Sequence, residues 1–278
     1  MNHPAAVPLL LDDAAVFPPG NLPLAEAVVA HRAHRASWYA DLVGPLVVPA
    51  AALDDLVDEG PLDVAVVAPL DQLATVLAWD VPGIRVVAVE VTLPSDLPAD
   101  AVLAELGRRN SRLDEEASSS KREFHRPAGE TPVFVEIPRD ERRDAVIADL
   151  AGSSYRAKLR TGGVRADLYP DEAELAAAVV ALTRAGVPFK ATAGLHHALR
   201  NTDPETGFEQ HGFLNLLAAT AAAEAGAGVE DVAALLAIRD ADRLPATTGS
   251  LLGSIGTCSI TDPVDELTAL GRLLEASR

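Results

Sequence analysis

Two short segments each place a lysine inside what reads as a buried strand. In "VPFKATAGLHH" (187–197), Lys190 stands among apolar residues, and a glycine and two adjacent histidines follow it. In "YRAKLRTGG" (155–163), Lys158 has a similar setting and two glycines follow. Lysine is otherwise rare, since only Lys121 lies outside these segments. A buried lysine can lose its proton and become a nucleophile, whereas an arginine stays charged, so both segments are candidates for chemistry.

The alternation of side chains along a strand assigns these lysines to one face. With Ala157 and its alternate neighbours packed against helices, Lys158 and Arg160 face the other way, and the same argument directs Lys190 and Thr192 to that face. Two lysines on neighbouring strands would lower each other's pKa by charge repulsion, and burial would lower it further. That is one way of making an amine nucleophilic at neutral pH.

Short apolar runs alternate with helical patterns along the chain and supply the elements that must hold these lysines. The candidate strands are Val7–Val16, Pro45–Val48, Asp63–Val67, Arg85–Thr92, Pro132–Ile137, Arg156–Arg160 and Pro188–Ala193. Helical patterns cover 22–43, 50–58, 70–78, 97–107, 141–150, 171–186, 211–225 and 229–240. Alternation of this kind favours a parallel sheet and predicts an α/β protein with a (β/α)8 barrel. The glycine-containing "SLLGSIGTCSI" (250–260) must supply the eighth strand, so an incomplete barrel or an open doubly wound sheet is the alternative.

One segment interrupts this alternation. Residues 108–131, "RRNSRLDEEASSSKREFHRPAGET", are polar and charged and have no apolar periodicity. A loop of this length within a compact domain is either a functional lid or disordered. We therefore predict a single barrel domain over 1–278 that carries a polar loop or lid at 108–131.

The two lysine segments resemble deoxyribose-phosphate aldolase and related class I aldolases. That family has a Schiff-base lysine on the sixth strand in a K-x-x-T-G pattern, which Lys158 to Gly162 match. A second lysine stands on the seventh strand before a small-residue turn, and Lys190 to Gly194 match this approximately. The resemblance covers roughly 40 residues. It implies that Lys158 forms the Schiff base and that Lys190 perturbs its pKa.

Carboxylates near other strand ends could serve or neutralise these lysines. Glu90 in "VVAVEVTL" and Glu136 in "VFVEIP" stand near the ends of the fourth and fifth strands, and Asp12 and Asp13 end the first. Buried charges are normally paired, so a network of ion pairs without covalent chemistry is the alternative to a Schiff base. Glu90 or Glu136 would transfer protons in the catalytic interpretation.

The residues that follow the lysines are candidates for binding substrate. Glycines allow tight turns and a close approach of the backbone, so N–H groups there, together with Arg160, could bind a phosphate or carboxylate. Ordinary turn chemistry is the alternative. The predicted substrate-binding residues are Arg160, Thr161, Gly162, Gly163, Thr192, Gly194, His197 and Asp13.

His196, His197 and His211 are candidate metal ligands, as an alternative to acid–base roles. His196 titrates near neutral pH and is predicted to transfer protons. We expect no cofactor, and the alternative is a divalent metal held by Glu136, His196 and His211. Adjacent histidines in an extended loop point in opposite directions, so His196 and His197 would not both bind one ion.

Composition limits the partners that are expected. The formal net charge of −18 argues against binding nucleic acid or an anionic membrane, because the excess of Lys and Arg that would neutralise phosphates is missing. Cys258 is the single cysteine, so no internal disulfide forms. The first residues lack a basic region before their short apolar run and predict no signal peptide, which favours a cytoplasmic protein. A small anionic substrate is the expected partner. The sequence is also compatible with a homo-oligomer.

The sequence thus predicts an enzyme acting on a small anionic carbonyl compound. The reaction would be that of an aldolase, another lyase or an isomerase, through a lysine imine or an enolate. A metal-dependent lyase or hydrolase on the same scaffold is the second hypothesis. A non-catalytic barrel that binds a metabolite or a protein partner is the third.

Overall fold

A computed structural model describes residues 10–119, 131–245, 247 and 249–273. Its ten strands are β1 (Leu11–Asp13), β2 (Val43–Pro49), β3 (Leu62–Pro69), β4 (Ile84–Thr92), β5 (Val133–Glu136), β6 (Arg156–Arg160), β7 (Phe189–Thr192), β8 (Asn201–Thr202), β9 (Glu209–Gln210) and β10 (Leu252–Thr257). The helices are α1 (Leu24–Arg35), α2 (Leu73–Ala78), α3 (Val102–Ser119), α4 (Arg143–Leu150), α5 (Glu172–Ala185), α6 (Phe213–Glu224), α7 (Val229–Leu236) and α8 (Thr261–Ala269).

Eight of the strands form a closed barrel in the order β1-β10-β7-β6-β5-β4-β3-β2. Within this barrel β10 pairs with β1 and β7, β3 pairs with β2 and β4, and β5 pairs with β4 and β6, and each of these pairs is parallel. With helices between the strands, this is the predicted (β/α)8 barrel, and the open doubly wound sheet is excluded. The glycine-containing eighth strand is present as β10, so the barrel is complete.

Contacts divide the chain into two compact units, each of which is described by itself. Unit 1 comprises Met1–Gly44 and Leu159–Arg278, and unit 2 comprises Pro45–Lys158. In unit 2, β3 pairs with β2 and β4, β4 pairs with β5, and β5 pairs with β6. In unit 1, β10 lies between β1 and β7.

Local sequence explains why the best-defined helix begins and ends where it does. The side chain of Asp171 accepts a hydrogen bond from the backbone N–H of Glu174 (2.7 Å) and caps the first turn of α5. Gly186 ends the helix in the left-handed conformation, at a φ of 65°. Leu175, Val179 and Leu182 are buried along one stripe, as their spacing predicts.

Several predicted elements differ from the structure. The helix predicted at 22–43 ends earlier, since α1 covers Leu24–Arg35, and of the described residues in the predicted strand Val7–Val16 only Leu11–Asp13 form β1. The predicted helix at 50–58 is two short 3-10 turns, Ala50–Ala52 and Asp54–Leu56. The predicted polar loop at 108–131 is wrong over its first part, because α3 continues through Ser119. Glu105 bonds to Arg108 and Arg109 at helical spacing, and such pairs stabilise a helix. The rest of that prediction, 120–130, lies outside the described residues.

Some elements were not predicted at all. These are α8 and a short antiparallel ladder of β8 and β9 in the connection that follows β7. Across the described part of the chain, no helix is both long and apolar enough to cross a membrane.

Candidate functional site

Lys158 lies between two glutamates within unit 2. Its Nζ is 2.9 Å from Oε2 of Glu90 and 3.2 Å from Oε2 of Glu136. The side chains of Lys158 and Glu90 are 3% and 2% exposed, whereas that of Glu136 is 15% exposed. With one cation and two carboxylates, the three side chains carry a net charge of −1 when all are ionised. We call Lys158, Glu90 and Glu136 the lysine–diglutamate group.

The pairing of β4, β5 and β6 explains how this group forms. Glu136 is the register partner of Lys158, whereas Glu90 is the partner of Phe134, two residues earlier on β5. Lys158 therefore reaches across β5 to Glu90, which requires all three side chains to lie on the same face of the sheet. The pairing places Glu136 at the carboxyl end of β5 and Glu90 closer to the amino end of the strands.

Lys190 has a comparable arrangement within unit 1. Its Nζ donates to Oδ2 of Asp12 at 2.5 Å, and the hydroxyl of Ser254 donates to the same oxygen at 2.7 Å. Lys190 and Ser254 are register partners on β7 and β10, and Asp12 lies beyond them on β1. Here too a lysine crosses one strand to reach its carboxylate. Asp12 was named with Asp13 among the carboxylates that could neutralise the lysines, but only Asp13 was assigned a site role, and Ser254 was not predicted.

Asp13 faces away from Lys190. Its Oδ2 is 3.0 Å from Nδ1 of His31 on α1, and both side chains are buried. Its Oδ1 accepts from the backbone N–H of Ala15. Because Asp12 and Asp13 are consecutive on β1, they must lie on opposite faces. The structure therefore connects Asp13 to a helix and does not bring it together with Lys190, contrary to its predicted place among the substrate-binding residues.

The glycines that follow β6 and β7 are close-packing positions. A Cβ added to Gly162 would stand 2.7 Å from Cε1 of Tyr169, and one added to Gly194 would stand 2.8 Å from the same atom. The ring of Tyr169 therefore lies against both turns. Burial raises the pKa of Tyr169, and its hydroxyl interacts with the backbone of Gly163. The backbone of Gly163, which was predicted to bind substrate, therefore interacts with the hydroxyl of Tyr169 instead.

Thr161 ties the ends of β6 and β7 together. Its backbone N–H donates to the carbonyl of Thr192 (2.9 Å), and its hydroxyl donates to the carbonyl of Ala193 (2.6 Å). Ala193 has a φ of 70°, a left-handed conformation that costs free energy for a residue with a Cβ. Strain at the carboxyl end of a barrel strand is typical of functional sites. Arg160 is the last residue of β6 and is partly buried.

The adjacent histidines after β7 have different partners. Nδ1 of His196 is 3.4 Å from the Thr257 hydroxyl and 3.5 Å from Sγ of Cys258, while its Nε2 is 3.8 Å from the same sulfur. The sulfur is almost equally distant from both ring nitrogens and so is aligned with neither. His197 instead contacts Glu266 of α8, with Nδ1 2.6 Å from Oε1. The two side chains point in different directions, as expected for an extended loop.

Burial sets the protonation of the His196–Cys258 pair. Burial lowers the pKa of His196, and the nearby Asp262 opposes that shift only in part. Burial also raises the pKa of the Cys258 thiol. Both groups are therefore neutral at pH 7, and this histidine can accept a proton, whereas the cysteine is not an activated nucleophile.

His211 and Arg200 form a buried polar pair next to the start of α5. Nε2 of His211 donates to the carbonyl of Pro170 (2.8 Å), and Nη2 of Arg200 lies 2.8 Å from Oε1 of Glu172. Among the described residues, Nδ1 of His211 and both Nε and Nη1 of Arg200 have no hydrogen-bond partner. Burial lowers the pKa of His211, and the charge of Arg200 lowers it further. Arg200 was missed because nothing in its local sequence signals burial.

The alternative metal site is not assembled in the described ranges. Within them, no group of three or more His, Cys, Asp and Glu side chains is arranged to hold a metal ion. The three proposed ligands each have other neighbours: Glu136 has Lys158, His196 has Thr257 and Cys258, and His211 has Pro170.

Comparisons with protein-family models, with curated proteins and with solved structures found no match to this chain. The resemblance to class I aldolases therefore rests on the two lysine segments alone.

Proposed function

We propose that this protein is an enzyme that acts on a small anionic carbonyl compound through an imine formed on Lys158. The observation that carries the proposal is the lysine–diglutamate group: a buried amine with two carboxylates in reach, on one face of three adjacent strands. The reaction class is that of an aldolase, another lyase or an isomerase.

Imine chemistry explains why one lysine has two acidic partners. The amine must lose a proton before it attacks a carbonyl carbon, and the carbonyl oxygen must gain protons before it leaves as water. The protonated imine that results is a cation, which needs a counter-ion when buried. One carboxylate could move protons while the other keeps its charge. A purely structural ion pair would need only one.

The anion of the carbonyl compound needs a cation of its own. When its three side chains are ionised, the group carries a net charge of −1 and offers no net attraction to a carboxylate or phosphate. The carbonyl end of the substrate is therefore the end that meets Lys158, and the candidate anion ligand nearest in sequence is Arg160. Lys190 keeps its own carboxylate, Asp12, and in this proposal it is an electrostatic group and not the nucleophile.

Reductive trapping tests the proposal directly. The protein is incubated with borohydride and, in turn, glyoxylate, pyruvate and glyceraldehyde 3-phosphate, then digested and analysed by mass spectrometry. Condensation releases water and reduction adds a hydride and a proton, so the modified lysine gains the mass of the carbonyl compound less one oxygen atom. We expect this mass on the peptide that carries Lys158, and not on those that carry Lys190 or Lys121.

Matched variants distinguish an imine from an ion pair. Lys158→Arg keeps the charge between the glutamates but removes the amine, so trapping at this peptide should disappear while the unfolding temperature changes little. Lys190→Arg should still be trapped at Lys158. If the unfolded chain is labelled at Lys158 but the native protein is labelled with none of the three compounds, the imine is wrong and the group is a structural ion pair.

A further inference from the structure

The two glutamates of the lysine–diglutamate group differ in depth and in contact. Glu90 is 2% exposed and stands 2.9 Å from the amine, whereas Glu136 is 15% exposed and stands 3.2 Å from it. Glu136 is the last residue of β5, while Val91 and Thr92 continue β4 beyond Glu90. A compound that enters from the carboxyl end of the strands, where barrel active sites lie, meets Glu136 first.

We propose that these glutamates have separate roles: Glu136 is the acid–base residue that transfers protons during imine formation, and Glu90 is the fixed counter-ion that positions Lys158 and stabilises its iminium. This inference rests on the proposed function and assigns its catalytic residues.

The proton balance fits one mobile and one fixed carboxylate. The ammonium of Lys158 first gives a proton to Glu136, which leaves a neutral amine and a carboxylic acid. The amine attacks the carbonyl carbon, Glu136 protonates the carbonyl oxygen, and the carboxylate then removes the extra proton from nitrogen. When the carbon–oxygen bond breaks, that proton leaves with the hydroxyl group as water. Lysine ammonium and carbonyl compound have become iminium and water, and Glu136 is ionised again.

Glu90 is suited to remain charged throughout. It lies beside the nitrogen at the beginning as an ion-pair partner of the ammonium and at the end as a partner of the iminium, which has the same charge. Burial alone would favour the neutral acid, so it is this adjacent cation, present at both stages, that keeps the buried carboxylate charged. The side chain of Glu136 is the more exposed of the two, although its Oε2 is buried, so we expect a small acid from solution to reach the space left by Glu136 more readily than that left by Glu90.

Chemical rescue tests this division of roles. The rate of trapping at Lys158 by glyoxylate and cyanoborohydride is measured for the wild type, Glu136→Ala and Glu90→Ala, each with and without added formate. Loss of a positioned acid–base group slows such steps by about 10²–10⁴-fold, so Glu136→Ala should lose at least about 100-fold. Formate should restore part of that rate by occupying the vacated space. Glu136→Asp should retain more of the rate than Glu136→Ala.

The matched variant gives the opposite pattern. Glu90→Ala should label poorly, and formate should not help, because the site of the lost carboxylate is closed to solvent. Circular dichroism and thermal unfolding show whether each variant is folded, and Glu90→Gln replaces Glu90→Ala if the latter is not. Rescue of Glu90→Ala but not of Glu136→Ala would reverse the roles, and labelling of Glu136→Ala at the wild-type rate would overturn the proposal. Absence of labelling in the wild type would instead contradict the imine itself.

Discussion

The two lysines in the described part of the chain are both buried, and each has a carboxylate within hydrogen-bonding distance. Lys158 contacts Glu90 and Glu136, and Lys190 contacts Asp12. Removing one partner of such a pair leaves a charge buried without compensation, which typically costs about 3–5 kcal/mol. The ion pairs that the sequence suggested as an alternative to covalent chemistry are therefore present. The mutual lowering of the two lysine pKa values stays a prediction.

Full or partial burial of three histidines makes the stability of this protein dependent on pH. The pKa values of His34, His196 and His211 are all lowered, with burial as the largest cause. At pH 8 these side chains are neutral in both the folded and the unfolded states. As the pH falls through the ordinary value of about 6.5, the unfolded chain binds protons that the folded chain does not. Stability therefore falls on acidification.

His211→Gln tests this dependence at one position. Urea unfolding measured between pH 8 and pH 5 should show a smaller loss of stability for the variant than for the wild type. Each histidine that stays neutral only in the folded state contributes at most about 1.4 kcal/mol per pH unit below its unfolded pKa. Parallel curves for the two proteins would show that His211 is protonated equally in both states.

Sequence patterns predicted the partners of Lys158 better than those of Lys190. Glu90 and Glu136 were predicted because each is the one charged residue of an apolar, well-bounded run near its end. Asp12 was named only together with Asp13, because the run "LLLDDAAV" around them has no alternation that would assign one of them to the inner face. Ser254 and Arg200 depend on contacts between segments far apart in the chain, which no local pattern reports.

At the scale of elements, β10 was the hardest strand to predict because glycine weakens a strand. The structure shows why a glycine is there. Gly256 is the register partner of Thr192 on β7, and a Cβ on this glycine would stand 2.7 Å from the threonine hydroxyl. The other seven barrel strands each overlap a predicted strand, although β6 (RAKLR) contains three charged residues. The extension of α3 was missed because residues 108–119 are mostly polar and charged and show no apolar periodicity in the sequence.

In the connection after β7, the backbone around Gly212 lies very close to that of Leu199. The ladder pairs Asn201 with Gln210, and continuing its register brings Leu199 opposite Gly212. A Cβ on Gly212 would overlap the main-chain atoms of Leu199. Backbone cannot move aside as a side chain can, so no larger residue fits there without displacing the segment.

Gly212→Ala should therefore be destabilising. We expect a loss of about 1–3 kcal/mol or more in the free energy of unfolding, because overpacking forces a backbone shift. Gly107→Ala is the control, since nothing lies within 4 Å of the added Cβ. It lies in α3, where alanine is favoured over glycine by up to about 1 kcal/mol. Equal unfolding midpoints in urea for both variants would contradict the close approach at Gly212.

At the scale of the whole molecule, the dominant property is the net charge of −18. Repulsion among so many like charges opposes the compact state. Surface ion pairs such as Arg85–Asp63, whose side chains are 59% and 43% exposed, contribute little in return.

Added salt should therefore stabilise this protein. Sodium chloride at about 0.15 M shortens the Debye length to about 8 Å and screens the repulsion. The unfolding temperature at pH 7.5 should rise between low salt and 0.15 M, as measured by differential scanning calorimetry. A fall would mean that attractive surface pairs outweigh the net repulsion.

The reach of each lysine across an intervening strand also limits how the chain can misfold. Lys158 crosses β5 and Lys190 crosses β10, so each ion pair fixes three strands relative to one another. If one of these strands slipped by a single residue, the charged side chain would turn to the opposite face and be buried without its partner. An apolar interior would tolerate such a slip far better. The same charges that equip these sheet faces for chemistry therefore discriminate against wrongly aligned barrels during folding.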